Sequence, residues 1–269
     1  MSFADCHAHI VDPDRFPFAP GHGYRPLPHE SGPRESFAAT LTGAGVTHAL
    51  LVQPSCYGYD NAALLDAVAR GGGRFRAIVV VPLDVSSEDL AGMAASGAVG
   101  VRFNLVSHRN DTLEDPRAPG FLARIRALGW HAEVFAHDEQ WPVIAPVLRE
   151  AGVRVLVDHF GIRDPTAGIA SPGFRAVLAL GRDGIAAVKL AEPFRTDPEL
   201  LAPFADALLA EFGPERCVWG SDWPFLNMPN RPFYAEVLEV LARFVNRAED
   251  RARILWETPS RLFGFDDPA

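Results

Sequence analysis

Eight short apolar runs, separated by helix-like stretches and polar loops, constrain this chain more than any other feature. The runs are "FADCHAH", "THALLVQP", "FRAIVVVP", "AVGVRFNL", "WHAEVFA", "VRVLVDHFG", "IAAVKLAE" and "CVWGSDWP". Several are apolar at nearly every position, the pattern of strands covered on both faces. Between them lie amphipathic segments such as "NAALLDAVARG", "EQWPVIAPVLREAG", "DPELLAPFADALLAEFG" and "PFYAEVLEVLARFVNRA". Glycines in "AGV", "GAV" and "FGPERC" read as helix stops that turn into the next strand. Eight strand–helix units predict an α/β fold, a single distorted (β/α)8 TIM barrel over residues 1–269, close to the roughly 250 residues typical of that fold. A doubly wound open sheet is the alternative, but no GxGxxG turn follows the first strand. Residues 12–34 form a proline- and glycine-rich loop long enough to be functional. The tail "ETPSRLFGFDDPA" is expected to cap the fold.

Barrels of this kind carry their chemistry at the C-terminal ends of the strands. Those ends supply His7 and His9, Gln53 and Ser55, Arg102 and Asn104, Glu133 and His137, then Asp158 and His159. The last two units add Lys189, Glu192 and Arg195, then Ser221 and Asp222. Incidental surface polarity would fall at either end, so this distribution points to an enzyme rather than a non-catalytic ligand-binding barrel. Alternation along a strand places His7 and His9 on one face, with Asp5 one step earlier on the same face. Two adjacent imidazoles fill a core poorly but suit metal binding, carbonyl polarisation or proton transfer. His159 and Asp222 each end an apolar run, where an unused polar group would be buried at a cost. Asp5 and Asp158 read equally as partners that orient histidines or as turn residues. His131 begins its strand, at the wrong end for chemistry. His137 reads equally as a site or a surface residue. His48 reads as peripheral, whereas His22, His29 and His108 sit in loops that could overhang a pocket.

The net charge of −9 argues against a nucleic-acid partner, which would call for a basic stripe. No apolar run approaches a membrane span and no signal pattern opens the chain, so a cytoplasmic location is expected. Three cysteines with no CxxC pair read as reduced thiols. Lys189 is the sole lysine and is counted among the substrate-binding candidates. Arg102 and Arg195 lie at or near strand ends, with Arg109 and Arg163 in the following loops. Guanidinium groups around one pocket favour a small anionic substrate, and Ser55 could add a hydroxyl contact. A homo-oligomer is compatible with all of this.

Taken together, "DCHAHI", "VQPSCYGYDN", "GVRFNL", "VDHFG", "VKLAEPFR", "WGSDWP" and "ETPSRLFG" resemble the amidohydrolase superfamily. The resemblance is to the branch of 2-pyrone-4,6-dicarboxylate and sugar-acid lactonases and runs through nearly the whole chain. It implies a distorted (β/α)8 barrel that hydrolyses esters, lactones or amides with activated water. The family's first-strand HxH maps onto His7 and His9, its sixth-strand histidine onto His159 and its eighth-strand aspartate onto Asp222. Many members bridge two metals with a fourth-strand lysine. Arg102 stands in that region here and cannot ligate a metal, so a binuclear centre is not expected. That leaves one divalent ion, zinc first, on His7, His9, His159 and Asp222, or no required metal, as in the pyrone-dicarboxylate branch.

The expected activity is opening of an anionic, carboxylated lactone, with Asp222 activating water and His7, His9 and His159 polarising the carbonyl. Tyr24, in "GYRP", matches a tyrosine that lies near the substrate in the resembled branch. Departures also occur. Phe135 stands where the branch has a tyrosine, His108 aligns with an arginine now displaced to Arg109, and Ile162 precedes Arg163. These weaken an assignment to the pyrone dicarboxylate itself and leave related dicarboxylic, sulfonated or sugar-acid lactones. The alternatives are a metal-dependent decarboxylase of an aromatic acid or a lactone isomerase on the same scaffold.

Overall fold

The computed structural model describes residues 2–21, 24–106 and 113–266, and in it all eight apolar runs are strands. They are β1 (Ala4–Ala8), β2 (His48–Val52), β3 (Phe75–Val79), β4 (Ala98–Asn104), β5 (His131–Phe135), β6 (Arg154–Val157), β7 (Ala186–Ala191) and β8 (Cys217–Gly220). Every neighbouring pair from β1 to β8 is parallel and follows sequence order. The ends of the sheet meet through a bridge between Ala8 and Trp223. His9 N donates to Trp223 O at 2.7 Å and Asp222 N to His7 O at 2.7 Å, which nearly closes a (β/α)8 barrel.

Helices α1 (Arg34–Gly43), α2 (Ala62–Ala69), α3 (Ser87–Ala95), α4 (Ala118–Ala127), α5 (Trp141–Ala151), α6 (Pro172–Arg182), α7 (Pro198–Phe212) and α8 (Tyr234–Phe244) follow the strands in turn. Their starts are written locally. Ser86 caps α3 by accepting from Asp89 N, and Ser171 caps α6 by accepting from Phe174 N. Each helix turns an apolar stripe to the outward face of the strands, where residues such as Leu51, Val79, Val155, Leu190 and Trp219 meet Phe37, Phe121, Ile144, Val177 and Leu241.

The inside of the barrel has two halves. Towards the N-terminal ends of the strands it is apolar, built from Ala4, Cys6, Leu50, Val52, Ile78, Leu156, Ala187 and Val218. The C-terminal helix Thr258–Phe263 and the residues after it push Phe263 and Phe265 into this cluster, so the tail caps the barrel floor. His131 and His48 lie there too, against Phe263 and Phe265, which keeps both away from the opposite mouth. Towards the C-terminal ends the interior turns ionic, with Arg102, Glu133, Asp158, Lys189 and His7 buried together.

Strict alternation fails in β1. Ala4 and Asp5 pair with His48 and Ala49, yet Ala8 pairs with Leu51, so three residues of β1 span two of β2. This bulge puts one extra residue between Asp5 and His9 and re-aims the chain. Asp5 therefore does not share a face with His7 and His9. It turns outward, accepting from Tyr234 Oη of α8 at 2.9 Å, from Ser221 Oγ at 2.6 Å and from Ser221 N at 2.9 Å. Its role is to tie β1 to the end of β8. Burial, only partly offset by these hydrogen bonds, raises its pKa to about 6.

Gly220 permits the closure. A Cβ there would lie 2.5 Å from the Cβ of His7, so any side chain would push the first-strand pair out of place. The three cysteines are free and buried. Among the described residues no helix is long and apolar enough to cross a membrane.

Candidate active site

A cavity of about 360 Å3 opens at the C-terminal end of the barrel, a size suited to a small ligand. Its wall includes His9 after β1, Ser55 after β2, Arg102 and Asn104 from β4, Phe135 from β5, His159 after β6, Glu192 and Arg195 after β7, and Asp222 after β8. Tyr24, Arg163, Leu226 and Asn227 complete the rim. Seven strands thus send side chains to one space, and most of the candidates named from the sequence meet there.

Three consecutive strand ends adopt left-handed backbone at non-glycine residues: His159 (φ 47°), Glu192 (φ 59°) and Asp222 (φ 61°). Such conformations cost on the order of 1–3 kcal/mol each and persist where the surroundings enforce them, often at functional sites. Here they aim one imidazole and two carboxyl groups into the same cavity.

Asp222 is the hub. Its Oδ1 lies 3.2 Å from His9 Nε2 and 3.6 Å from His7 Nε2, and its Oδ2 lies 3.3 Å from Arg195 Nη2. Burial would raise its pKa, but the His9 hydrogen bond and the neighbouring His9, His7 and His159 rings outweigh it and hold the carboxyl far below its usual range. Asp222 is therefore ionised at neutral pH. His9 is oriented by its other nitrogen, with Nδ1 2.8 Å from Val52 O. Burial lowers the pKa of His159 to about 4, so this imidazole is neutral at pH 7.

Glu192, absent from the site residues expected from the sequence, is the second carboxyl group facing Asp222. Arg195 Nε donates to its Oε1, and its Oε2 lies 3.6 Å from His159 Nδ1. Burial and then repulsion from Asp222 raise it to about 8, against the lowering effect of Arg195. A carboxyl whose pKa rises on folding binds more protons folded than unfolded between its two values, here about 4.5 and 8. Its stabilising contribution is present below about 4.5 and is lost as pH climbs to 8. Glu192→Gln removes that slope. Its stability relative to the wild type should rise by on the order of a few kcal/mol from pH 5 to pH 8, read by urea unfolding at both pH values. An equal difference at the two pH values would contradict the assignment.

Beneath the cavity floor lies a buried ionic layer. Arg102 Nη2 is 2.9 Å from Asp158 Oδ2, and Arg102 Nε is 3.3 Å from Glu133 Oε1, its cross-strand partner. Lys189 Nζ is 2.5 Å from Glu133 Oε2, 2.9 Å from His7 Nδ1 and 3.2 Å from Asp158 Oδ1. Burial and the nearby Asp158 charge raise Glu133 to about 8, whereas for Asp158 the two cations and His7 overcome burial and hold it well below its usual range.

This layer bears on three of the expected site residues. Lys189 is fully buried and is not among the residues lining the cavity; its ammonium faces Glu133, His7 and Asp158. His7 is likewise fully buried, below the cavity surface, and meets Asp222 rather than the open space. Arg102 lines the cavity, but part of its charge is already matched from below.

Tyr24 reaches the cavity because the long first loop folds back on itself. Its hydroxyl donates to Glu30 Oε2 at 2.5 Å and accepts from Asn227 N at 2.9 Å. The hydroxyl is thus already engaged, and Tyr24 contributes a wall. Buried Glu30 also accepts from Leu27 N and Asn227 N, and this anchor was not singled out in the sequence. Ser55 Oγ accepts from Asn104 Nδ2 at 3.3 Å. Arg163 lies with its guanidinium 5.9 Å from the centre of the Phe135 ring, the ring that replaces the expected tyrosine. Arg109 and His108 lie outside the described residues, as does His22.

Among the described residues, two groups of side chains bring candidate metal ligands within 4.8 Å of one another: His7, His159 and Asp222, and His7, Glu133 and Asp158. The second group already encloses a cation of the chain's own, the Lys189 ammonium. An ion in the first group would need the lone pair of His7 Nε2.

A parallel eight-stranded barrel that gathers polar side chains from seven strands around one cavity at its C-terminal end is built as a (β/α)8-barrel enzyme. The chain is a member of the amidohydrolase family, whose model matches residues 4–265. It is 31% identical over 270 residues to 4-sulfomuconolactone hydrolase of Hydrogenophaga intermedia, covering 97% of this chain and 88% of that one. It is 30% identical over 275 residues to 2-pyrone-4,6-dicarboxylate hydrolase of Comamonas testosteroni, covering 96% and 89%. A crystal structure from Acinetobacter baumannii, named probable 2-pyrone-4,6-dicarboxylic acid hydrolase and holding citric acid, superposes with a TM-score of 0.91. It shares 28% identity and covers 98% of this chain and all of that one.

Proposed function

We propose that this protein hydrolyses the ring ester of a small lactone bearing a carboxylate or sulfonate. The observation that carries the reading is the meeting, in one cavity, of ionised Asp222, two imidazoles and the guanidinium groups of Arg102, Arg163 and Arg195. Two relatives at 30% identity or more are named as hydrolases of anionic lactones, which supports the same chemistry here.

In this reading water attacks the lactone carbonyl carbon while Asp222 takes one of its protons. Negative charge grows on the carbonyl oxygen, where the His9 and Arg195 donors around Asp222 are available to stabilise it. The ring C–O bond then breaks, and the proton held by Asp222 passes to the leaving oxygen, giving an open-chain hydroxy acid. Every step uses groups of the chain itself.

The anionic substituent binds at the rim. Arg163 is exposed, and among the described residues it has no carboxylate within ion-pair distance, unlike Arg102 and Arg195. Arg163→Gln should raise KM for an anionic lactone by about tenfold, leave kcat within about twofold, and shift stability by less than about 0.5 kcal/mol. Steady-state kinetics together with a melting curve check this, and an unchanged KM would place the anion elsewhere.

The test of the function is a ring-opening screen over carboxylated and sulfonated lactones, with and without a chelator. Turnover of at least one anionic lactone that persists with the chelator is expected. Carbon dioxide release from aromatic acids, with no lactone opened, would instead identify a decarboxylase.

A further inference from the structure

We propose that Lys189 acts as a positioning residue that fixes His7 as the Nε2–H tautomer, making it a donor toward Asp222 and closing that nitrogen to a metal ion. Lys189 Nζ approaches His7 Nδ1 at 2.9 Å in a fully buried setting. An ammonium has three donors and no acceptor, so Nδ1 must present its lone pair. Glu133 Oε2 accepts a second ammonium hydrogen at 2.5 Å, and Asp158 Oδ1 lies 3.2 Å from Nζ, within ion-pair distance.

The far side of the ring agrees. His7 Nε2 is buried without a hydrogen-bond partner and faces Asp222 Oδ1 at 3.6 Å. An N–H pointing at a carboxylate is attractive, whereas a lone pair would be repelled. Asp158 Oδ1 lies 3.3 Å from Nδ1, but it sits on the same ammonium, and an Nδ1–H would be aimed into that cation at shorter range.

His9 shows the contrast. Its Nδ1 faces a backbone carbonyl oxygen at 2.8 Å and its Nε2 faces Asp222 Oδ1 at 3.2 Å. One ring of the HxH pair thus lies between a donor and an acceptor, and the other between two acceptors. In the candidate group of His7, His159 and Asp222, the first member is blocked, and the donor set does not fit an ion while Lys189 holds its proton.

The test uses the full chain with 15N-labelled histidine, His7 being assigned through a His7→Asn variant. Long-range proton–nitrogen spectra should show the wild-type ring protonated at Nε2. Lys189→Met frees Nδ1–H to donate to Asp158, so the proton should move to Nδ1. Because that variant leaves buried acids undercompensated, Lys189→Met/Glu133→Gln provides a charge-balanced second case.

Zinc titrated by calorimetry should bind this double variant at least about tenfold more tightly than the wild type, and adding His7→Ala should erase the gain. The spectral and zinc arms need no substrate and so stand apart from the lactonase reading. A kinetic arm rests on that reading: kcat should fall while KM stays within about threefold. A wild-type His7 protonated at Nδ1, or zinc affinity equal in wild type and variant, would overturn the proposal. If neither variant folds, the wild-type spectrum alone decides it.

Discussion

Asp222→Asn is expected to lower kcat for lactone opening by roughly 10^3-fold, within the range typical for loss of a general base, while KM changes by less than about threefold. The substitution keeps the size of the side chain and one carbonyl oxygen, so the hydrogen-bond frame around it has little reason to move. His9, His7 and Arg195 converge on this carboxylate and hold it ionised. An amide can accept a hydrogen bond but cannot take a proton from water, so the chemical step should suffer and binding should not. Single-turnover kinetics with an equilibrium binding measurement separates the two. Near-normal turnover would remove Asp222 from the role of base and leave Glu192, the other carboxyl group on the cavity wall, to be tested.

Arg102→Met should cost roughly 3–5 kcal/mol of folding stability, the usual penalty for breaking a buried ion network by removing one partner. Arg102 lies at 2.9 Å from Asp158 and 3.3 Å from Glu133, and its loss leaves Lys189 as the one full cation among them. In a chain of this size about 1 kcal/mol corresponds to 2–4 °C, so the melting temperature should drop by roughly 10 °C. Circular dichroism melts of Arg102→Met and Arg163→Gln make the comparison: both residues are arginines on the cavity wall, but only the first is locked into the layer below. Equal melting temperatures would mean that the layer contributes little to folding and that Arg102 serves the ligand alone.

These two residues show where reading the chain succeeds and where it stops. Asp222 and His159 were legible because each ends an apolar run, and a polar residue at that point is either used or costly. Arg102 was legible for the same reason. Lys189 interrupts an apolar strand just as Arg102 does, yet its side chain points into the ionic layer and never meets the cavity. The two look alike in one dimension because what separates them is depth along the barrel axis. Glu133, the acid that pairs with both, comes from a third strand. Glu192 is legible as a strand-end residue but not as a site residue, since its facing of Asp222 depends on left-handed backbone and on a neighbouring strand.

The clearest departure is the bulge in β1. "ADCHAH" alternates as regularly as any strand, and nothing in those letters marks an inserted residue. The extra residue becomes necessary where β1 meets β8, with Gly220 packed against His7 and Asp5 drawn outward to Ser221 and Tyr234. Tyr24 is a similar case, because it reaches the cavity wall through an anchor to Asn227, 203 residues away.

By itself the order of residues determined the number of strands, their alternation with helices, and the end of the barrel at which polar side chains, among them His9, His159 and Asp222, gather around a cavity. Those features follow from periodicity and polarity among near neighbours, which any short window of the chain contains. Only the tertiary structure decided which cations are consumed inside the barrel, which groups each histidine of the pair faces, and which acids face one another. Those outcomes depend on side chains brought together from distant strands when the barrel closes, and burial then makes each pairing obligatory.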